Sequence, residues 1–290
     1  MMQRMIRFSA ALSAACLVTA PLGFAFASDD APPKYSAEAF FQTTDFRIGG
    51  PEFAFSPDGE RLIITSDETG VYNAYALDLD SGDRTALTQS TTSATYAISY
   101  FPDGERFLYT ADNGGDELNH IFVDGPNMEP LDLTPGENLK AAFVGWVDDG
   151  EAFILQTNER DSRFFDLYRY DASNFDREMI FANDLGLGGF SVSRDGAHAA
   201  GVKSRTSADN NIFLVRLEGD SEPQNITTHE GNISHSVYDF TPEGDKLVYG
   251  TNEFGEFSQA WAYDIATGDK DLLIEEDWDV SFVTYSPSGR

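Results

Sequence analysis

The chain has 290 residues, 41% of them hydrophobic and 23% charged, enough apolar content for a large core or two ordinary domains and too much for a fibrous or disordered chain. Acidic residues number 49 against 19 basic ones, and the formal charge of -30 is the wrong sign for counterion-release binding to nucleic acid or to anionic membrane surfaces. One cysteine, Cys16, excludes an intramolecular disulfide and a zinc site built on several cysteines.

In chain order, the first predicted element is a secretory signal peptide over residues 1–27. Arg4 and Arg7 precede an apolar stretch over 8–20, a Pro21 and Gly23 break, and a small-x-small site ending at Ala27, after which cleavage is expected. The apolar run is shorter than the roughly 20 residues a spanning helix needs, so no membrane insertion is expected once the leader is removed. Acylation of Cys16 is the competing reading, but Ser13 stands where such signals usually carry leucine. The mature chain, with a formal charge of -32 and no cysteine, is expected to be periplasmic or secreted. Residues 28–50 follow as an N-terminal extension in which 36–41 can form one helical turn or a strand.

From residue 51 a repeat dominates. A turn signal recurs as FSPDGERLIITSD from Phe55, YFPDGERFLYTAD from Tyr100, WVDDGEAFILQTN from Trp146, VSRDGAHAAGVKS from Val192 and FTPEGDKLVYGTN from Phe240, with a sixth copy, YSPSGR, from Tyr285. The turn glycines Gly59, Gly104, Gly150, Gly196, Gly244 and Gly289 are 45, 46, 46, 48 and 45 residues apart. This period is near that of a four-stranded propeller blade and too long for leucine-rich, ankyrin or tetratricopeptide repeats.

Each unit supplies four strand signals. An apolar or alternating run precedes the turn, as in Phe53-Ala54-Phe55 or Ile98-Ser99-Tyr100, and a second follows it, as in Leu62-Ile63-Ile64-Thr65. A third run, such as Asn211-Ile212-Phe213-Leu214-Val215, leads to a short polar fourth ending in Leu87-Thr88, Leu133-Thr134 or Ile226-Thr227. The expected fold is therefore all-β, a propeller with blades at about 51–88, 96–134, 141–181, 188–227 and 236–274 and the first strand of a sixth over 280–290. An open sandwich gives no reason for the period. An unclosed propeller exposes an edge that natural proteins usually cover, so the sequence reads as a fragment.

These repeats, of the form F-S-P-D-G-x-x-L and ending in L-T, resemble TolB-like propeller blades. Residues 35–44, together with YFPDGERFLYTADNGGDELNHIFV, DLTPGENLKAAFVGW and TNERDSRFFDLYRYD, resemble the N-terminal propeller of exported bacterial members of the prolyl oligopeptidase family of serine peptidases, over essentially all of residues 35–290. The resemblance implies a C-terminal α/β-hydrolase domain carrying a Ser-Asp-His triad as the propeller's partner, short peptides as substrates, and a propeller that limits entry to them. The alternative is a TolB-like periplasmic protein-binding propeller without enzymatic activity.

No catalytic residue is expected within the chain. The nearest approach to a nucleophile elbow, Gly189-Phe190-Ser191-Val192-Ser193, lacks the final glycine and precedes a hairpin, so Ser191 reads as a strand serine. No cofactor or metal is expected either. His229 and His235 flank Glu230 without a helical HExxH spacing and read as surface-loop histidines, and His120 as a packing residue. The acidic runs at Asp112, Asp116 and Glu117, at Asp148-Asp149 and at Glu275-Glu276-Asp277 lack EF-hand spacing and read as solvated turns. Arg160, Arg163 and Phe164 lie in the most basic and aromatic stretch and are the candidate substrate contacts, since arginine can pair bidentately with a peptide carboxylate. The competing role is an ion pair with Asp161 or Asp166 between blades. Gly59, Gly104, Gly150, Gly196 and Gly244 are assigned to the turns.

Overall fold

The computed structural model describes residues 34–50, 53–219 and 222–286, and the leader expected over 1–27 and the turn glycine Gly289 lie outside the described residues. The described chain divides into two units, the first ending at Thr43. That unit holds one helical turn, α1 (Ala37–Phe40), whose first backbone donors are met by Ser36: its hydroxyl accepts the Ala39 N–H at 3.3 Å.

The second unit, from Thr44, is all-β. Its first sheet comprises β1 (Phe46–Ile48), β2 (Arg61–Ser66), β3 (Asn73–Asp78) and β4 (Arg84–Ala86). The second has β5 (Thr95–Tyr100), β6 (Phe107–Ala111), β7 (His120–Asp124) and β8 (Leu131–Asp132). The third has β9 (Ala141–Val147), β10 (Ala152–Asp161), β11 (Phe164–Asp171) and β12 (Arg177–Phe181). The fourth has β13 (Gly188–Val192), β14 (His198–Thr206), β15 (Asp209–Arg216) and β16 (Gln224–Asn225), and the fifth β17 (His235–Phe240), β18 (Lys246–Thr251), β19 (Gln259–Asp264) and β20 (Lys270–Ile274). Each sheet is an antiparallel meander in chain order, the four-stranded blade of a β-propeller.

Consecutive blades bury their faces on each other, which is why the second strand of a blade is apolar on both faces instead of alternating. Ile63, Phe153, Ile154, Leu155, Leu247 and Val248 are fully buried. The junction of blades two and three is an aromatic cluster: Phe101 meets Trp146 edge-on at 5.0 Å, and within blade three Phe153 stacks on Tyr170 at 5.3 Å, centroid to centroid. Trp146 donates its indole N–H to the buried Ser99 hydroxyl at 3.0 Å, and Tyr170 its hydroxyl to the Leu133 carbonyl at 3.0 Å, so the polar ends of both rings are satisfied.

The turns after the inner strands interlock along one rim. Arg61 donates to the Gly104 carbonyl at 3.0 Å, and the Asp148 N–H to the Arg194 carbonyl at 2.7 Å. Gly150, at φ 88°, sits so close to the preceding turn that a Cβ there would lie 2.4 Å from Pro102 Cγ.

Two differences from the sequence expectation are physical. Blade one takes its inner ladder from Phe46–Ile48, upstream of residue 51, and Phe53-Ala54-Phe55 contributes only the single bridge Phe55 to Leu62. Between them, the Gly50 N–H is drawn to the Ile98 carbonyl of blade two at 2.5 Å, an approach open to a residue without a side chain at Gly49, where a Cβ would stand 2.6 Å from the same oxygen. Residues 280–286, expected to open a sixth blade, form no ladder. They lie instead along blade five, with the Val280 N–H on the Ser258 carbonyl at 2.8 Å and the Tyr285 N–H on Asp239 at 3.0 Å. Among the described residues no helix is long and apolar enough to cross a membrane.

Candidate functional site

The inner strands of blades two to five carry the same irregularity. Their register with the second strand slips by one residue, skipping Ile98 in β5, Val144 in β9 and Tyr238 in β17; in β13 the extra residue falls between Gly188 and Ser191, a stretch containing Phe190. Ile98, Val144, Phe190 and Tyr238 each stand six residues before their turn glycine. A bulge at this point bends the strand and re-aims its side chains, and all four line one cavity of about 550 Å³ bounded by these inner strands and by Phe282, Thr284 and Tyr285.

The cavity wall is mostly apolar and aromatic, with Tyr96, Phe143, Phe190 and Phe282 beside the polar Asn119, Ser191 and Asp239. Burial pushes the Tyr238 hydroxyl above its ordinary pKa, and this hydroxyl donates to the Val280 carbonyl. The Tyr238 ring end fills the space a side chain would need at Gly250. Asp239 is held by three donors: the Phe240 N–H on Oδ1 at 2.8 Å, and on Oδ2 the Thr284 hydroxyl at 2.7 Å and the Tyr285 N–H at 3.0 Å. Inspection of the sequence missed this carboxylate. A signal existed, because the corresponding positions of the other copies are Ala54, Ser99, Gly145, Ser191 and Thr284.

Ser191 lies within β13, opposite Ala200, on the cavity wall. Arg160 and Arg163 sit at the tip of the β10–β11 hairpin; Arg163 pairs within its own blade, and Arg160 pairs both within it and with the connection to blade four. Arg160 grips the fully buried Asp166 through Nε at 2.6 Å and Nη2 at 2.8 Å and reaches Asp184 at 2.9 Å. Asp166 also accepts the Asn183 N–H at 2.7 Å, so this arginine fixes the segment that leads into β13. Arg163 pairs with Asp161 at 2.7 Å and lies over the half-buried Phe164 ring at 4.9 Å, its side chain largely exposed. Hydrogen bonding to Arg163 holds the Asp161 carboxyl well below the usual carboxylate range.

His229 and His235 are buried and not in surface loops, with side chains 4% and 0% exposed. The reason is that they tie blades four and five together. His229 places Nδ1 on the Thr227 carbonyl at 2.8 Å and Nε2 on Asp209 at 3.0 Å, which leaves neither ring nitrogen for a metal. His235 donates from Nδ1 to the Asn210 carbonyl at 2.9 Å. His120 meets Asp132 at 2.7 Å and stacks on Phe122. Among the described residues no group of three or more histidine, cysteine or acidic side chains is arranged to hold a metal ion. Asp112 and Asp116 turn their carboxylates onto backbone N–H groups of their own loop.

No family model matches the sequence. Over 241 residues the chain is 30% identical to dipeptidyl aminopeptidase BIII of Pseudoxanthomonas mexicana; the match takes in 80% of this chain and 34% of the aminopeptidase, so the chain spans about a third of that relative. Its fold superposes on TolB from Acinetobacter baumannii with a TM-score of 0.52 at 21% identity, over 81% of this chain and 55% of TolB. It superposes on a prolyl endopeptidase with a TM-score of 0.59 at 16% identity, over 76% of this chain and 34% of the endopeptidase. At these identities the two structural likenesses are of fold. Sequence and fold together show a β-propeller segment similar in sequence to part of a dipeptidyl aminopeptidase and in fold to TolB and to part of a prolyl endopeptidase.

Proposed function

We propose that this chain is the substrate-gating propeller of an exported serine peptidase that acts on oligopeptides. The observation that carries the proposal is the cavity of about 550 Å³ between the inner strands, in a chain whose sequence relative is a dipeptidyl aminopeptidase. A cavity of that size has room for a short extended peptide and none for a folded protein. In this proposal the nucleophile, general base and oxyanion hole belong to a hydrolase domain of the full-length protein, packed beside the propeller. Export rests on the leader-like residues 1–27. Arg163 and Phe164, at the hairpin tip, are assigned to contact with a peptide carboxylate; Arg160 is assigned to the fold, because Asp166 and Asp184 hold it.

A serine-directed fluorophosphonate tests this assignment. The full-length protein is expected to be labelled and to cleave short peptides in preference to folded proteins, and the 290-residue chain to remain unlabelled. Labelling of Ser191 in the chain, or a full-length protein inert to the probe, overturns it. The second outcome favours a TolB-like protein-binding role.

A further inference from the structure

We propose that the axial cavity selects peptides by charge, favouring those with cationic side chains, and that Asp239 sets this preference; the inference rests on the peptide-gating role above. Asp239 is the one charged residue among the described residues that line the cavity. Its oxygens are satisfied by two backbone N–H groups and a hydroxyl, all neutral donors, and no lysine, arginine or histidine of the described residues pairs with it. Among the described residues the carboxylate is thus hydrogen-bonded without an ion-pair partner.

A negative charge set in a wall of low polarizability focuses its field into the cleft and loses less of it to solvent than a charge on an open surface. The rest of the wall adds to the same sign. Phe143, Phe190, Tyr238 and Phe282 add aromatic rings to the wall, and aromatic rings attract ammonium and guanidinium groups through their faces. A lysine or arginine side chain entering the cavity meets one carboxylate in a largely aromatic wall. A glutamate or aspartate meets repulsion and loses its hydration without a cation to replace it. The overall charge of -30 acts in the same direction at long range, but salt screens that part over ~8 Å at physiological ionic strength, whereas a partly enclosed charge is screened less.

Calorimetric titration of the chain at about 0.15 M salt with three blocked pentapeptides, Ac-Ala-Lys-Ala-Lys-Ala-amide and its glutamine and glutamate counterparts, tests the inference. The lysine peptide is expected to bind best and the glutamate peptide worst. Asp239→Asn is expected to weaken the lysine peptide by roughly fivefold to tenfold and leave the glutamine peptide unchanged. Glu178→Gln, on the exposed face of β12, removes one charge away from the cavity and is expected to change nothing. Should Asp239→Asn disturb the packing of residues 284 and 285, Ser191→Lys gives an independent reading: a cation on the cavity wall is expected to invert the order of the lysine and glutamate peptides. Equal binding of all three peptides, or an Asp239→Asn protein indistinguishable from the Glu178→Gln control, overturns the charge selection alone. Failure of every peptide to bind overturns the gating role as well.

Discussion

Single residues carry strain and charge that can be tested one at a time. Gly59 and Gly150 both have positive φ, 73° and 88°, but nothing lies within 4 Å of a Cβ at Gly59 whereas Pro102 Cγ is 2.4 Å from one at Gly150. Gly59→Ala is expected to cost about 1–2 kcal/mol of backbone strain. Gly150→Ala adds an overpacking cost of about 1–3 kcal/mol, so urea midpoints are expected to fall further for the second than for the first. Equal losses would show that the turns do not bear on each other.

The buried histidines give a pH dependence. Desolvation lowers the pKa of His235 and of His198 below the ordinary value near 6.5. The unfolded chain then takes up protons first as the pH falls, so stability is expected to be full above about pH 6.5 and to decline below it, down to the folded-state pKa. Groups facing His235 pull in both directions: Glu253 raises its pKa, while His229 and Lys270 lower it. His235→Asn is expected to flatten the decline below about pH 6.5, measured by denaturant midpoints at each pH. An unchanged slope would assign the decline elsewhere.

At the scale of elements, the strand pairs and blade junctions set where damage spreads. Phe153 is fully buried between Phe101, Trp146 and Tyr170. Phe153→Ala is expected to cost about 3–5 kcal/mol. In an array whose units contact mainly their neighbours, the loss of amide-exchange protection should concentrate in β5 to β12 and spare blade five; a uniform loss would show that the blades unfold as one.

The elements legible in the sequence were those with a period or a turn to mark them. The Asp-Gly turns and the doubly apolar second strands placed most of the ladders within a few residues. The inner strand of blade one was not legible, because Phe46-Arg47-Ile48 is exposed in the structure and carries no pattern of burial, while Phe53-Ala54-Phe55 mimics the other copies. The fourth strands of blades three and five were also misjudged as short and polar: β12 and β20 each run five residues and bring Met179, Leu272, Leu273 and Ile274 to the surface. The cavity was invisible because it depends on a bulge, and one inserted residue leaves no mark in composition.

For the whole molecule, charge is the dominant global term. A chain with a formal charge of -30 repels itself in the compact state, and counterions relieve that repulsion. Raising NaCl from about 0.05 M to about 0.5 M is expected to raise the thermal midpoint, and a midpoint that stays level or falls would show that the acidic residues are locally compensated. Local compensation is partial at best: Arg47, Arg84, Arg106, Arg160, Arg163, Arg169, Arg177 and Arg205 all pair with carboxylates, yet the acids outnumber the bases by more than two to one. The periodicity that revealed the fold and the departures from it that shape the cavity belong to different levels, since blades are built from what the copies share and selectivity from the position where one copy differs.

The interlocked rim has a consequence for anyone who would rebuild this protein. Gly104, Gly150, Gly196 and Gly244 each stand against a proline or side chain of the preceding copy, so a single repeat lifted out and spliced into a new order would bring only half of such a joint. Shuffled or duplicated versions would have to exchange corners in matched pairs, and the natural unit of recombination is the seam between two copies, not the copy itself.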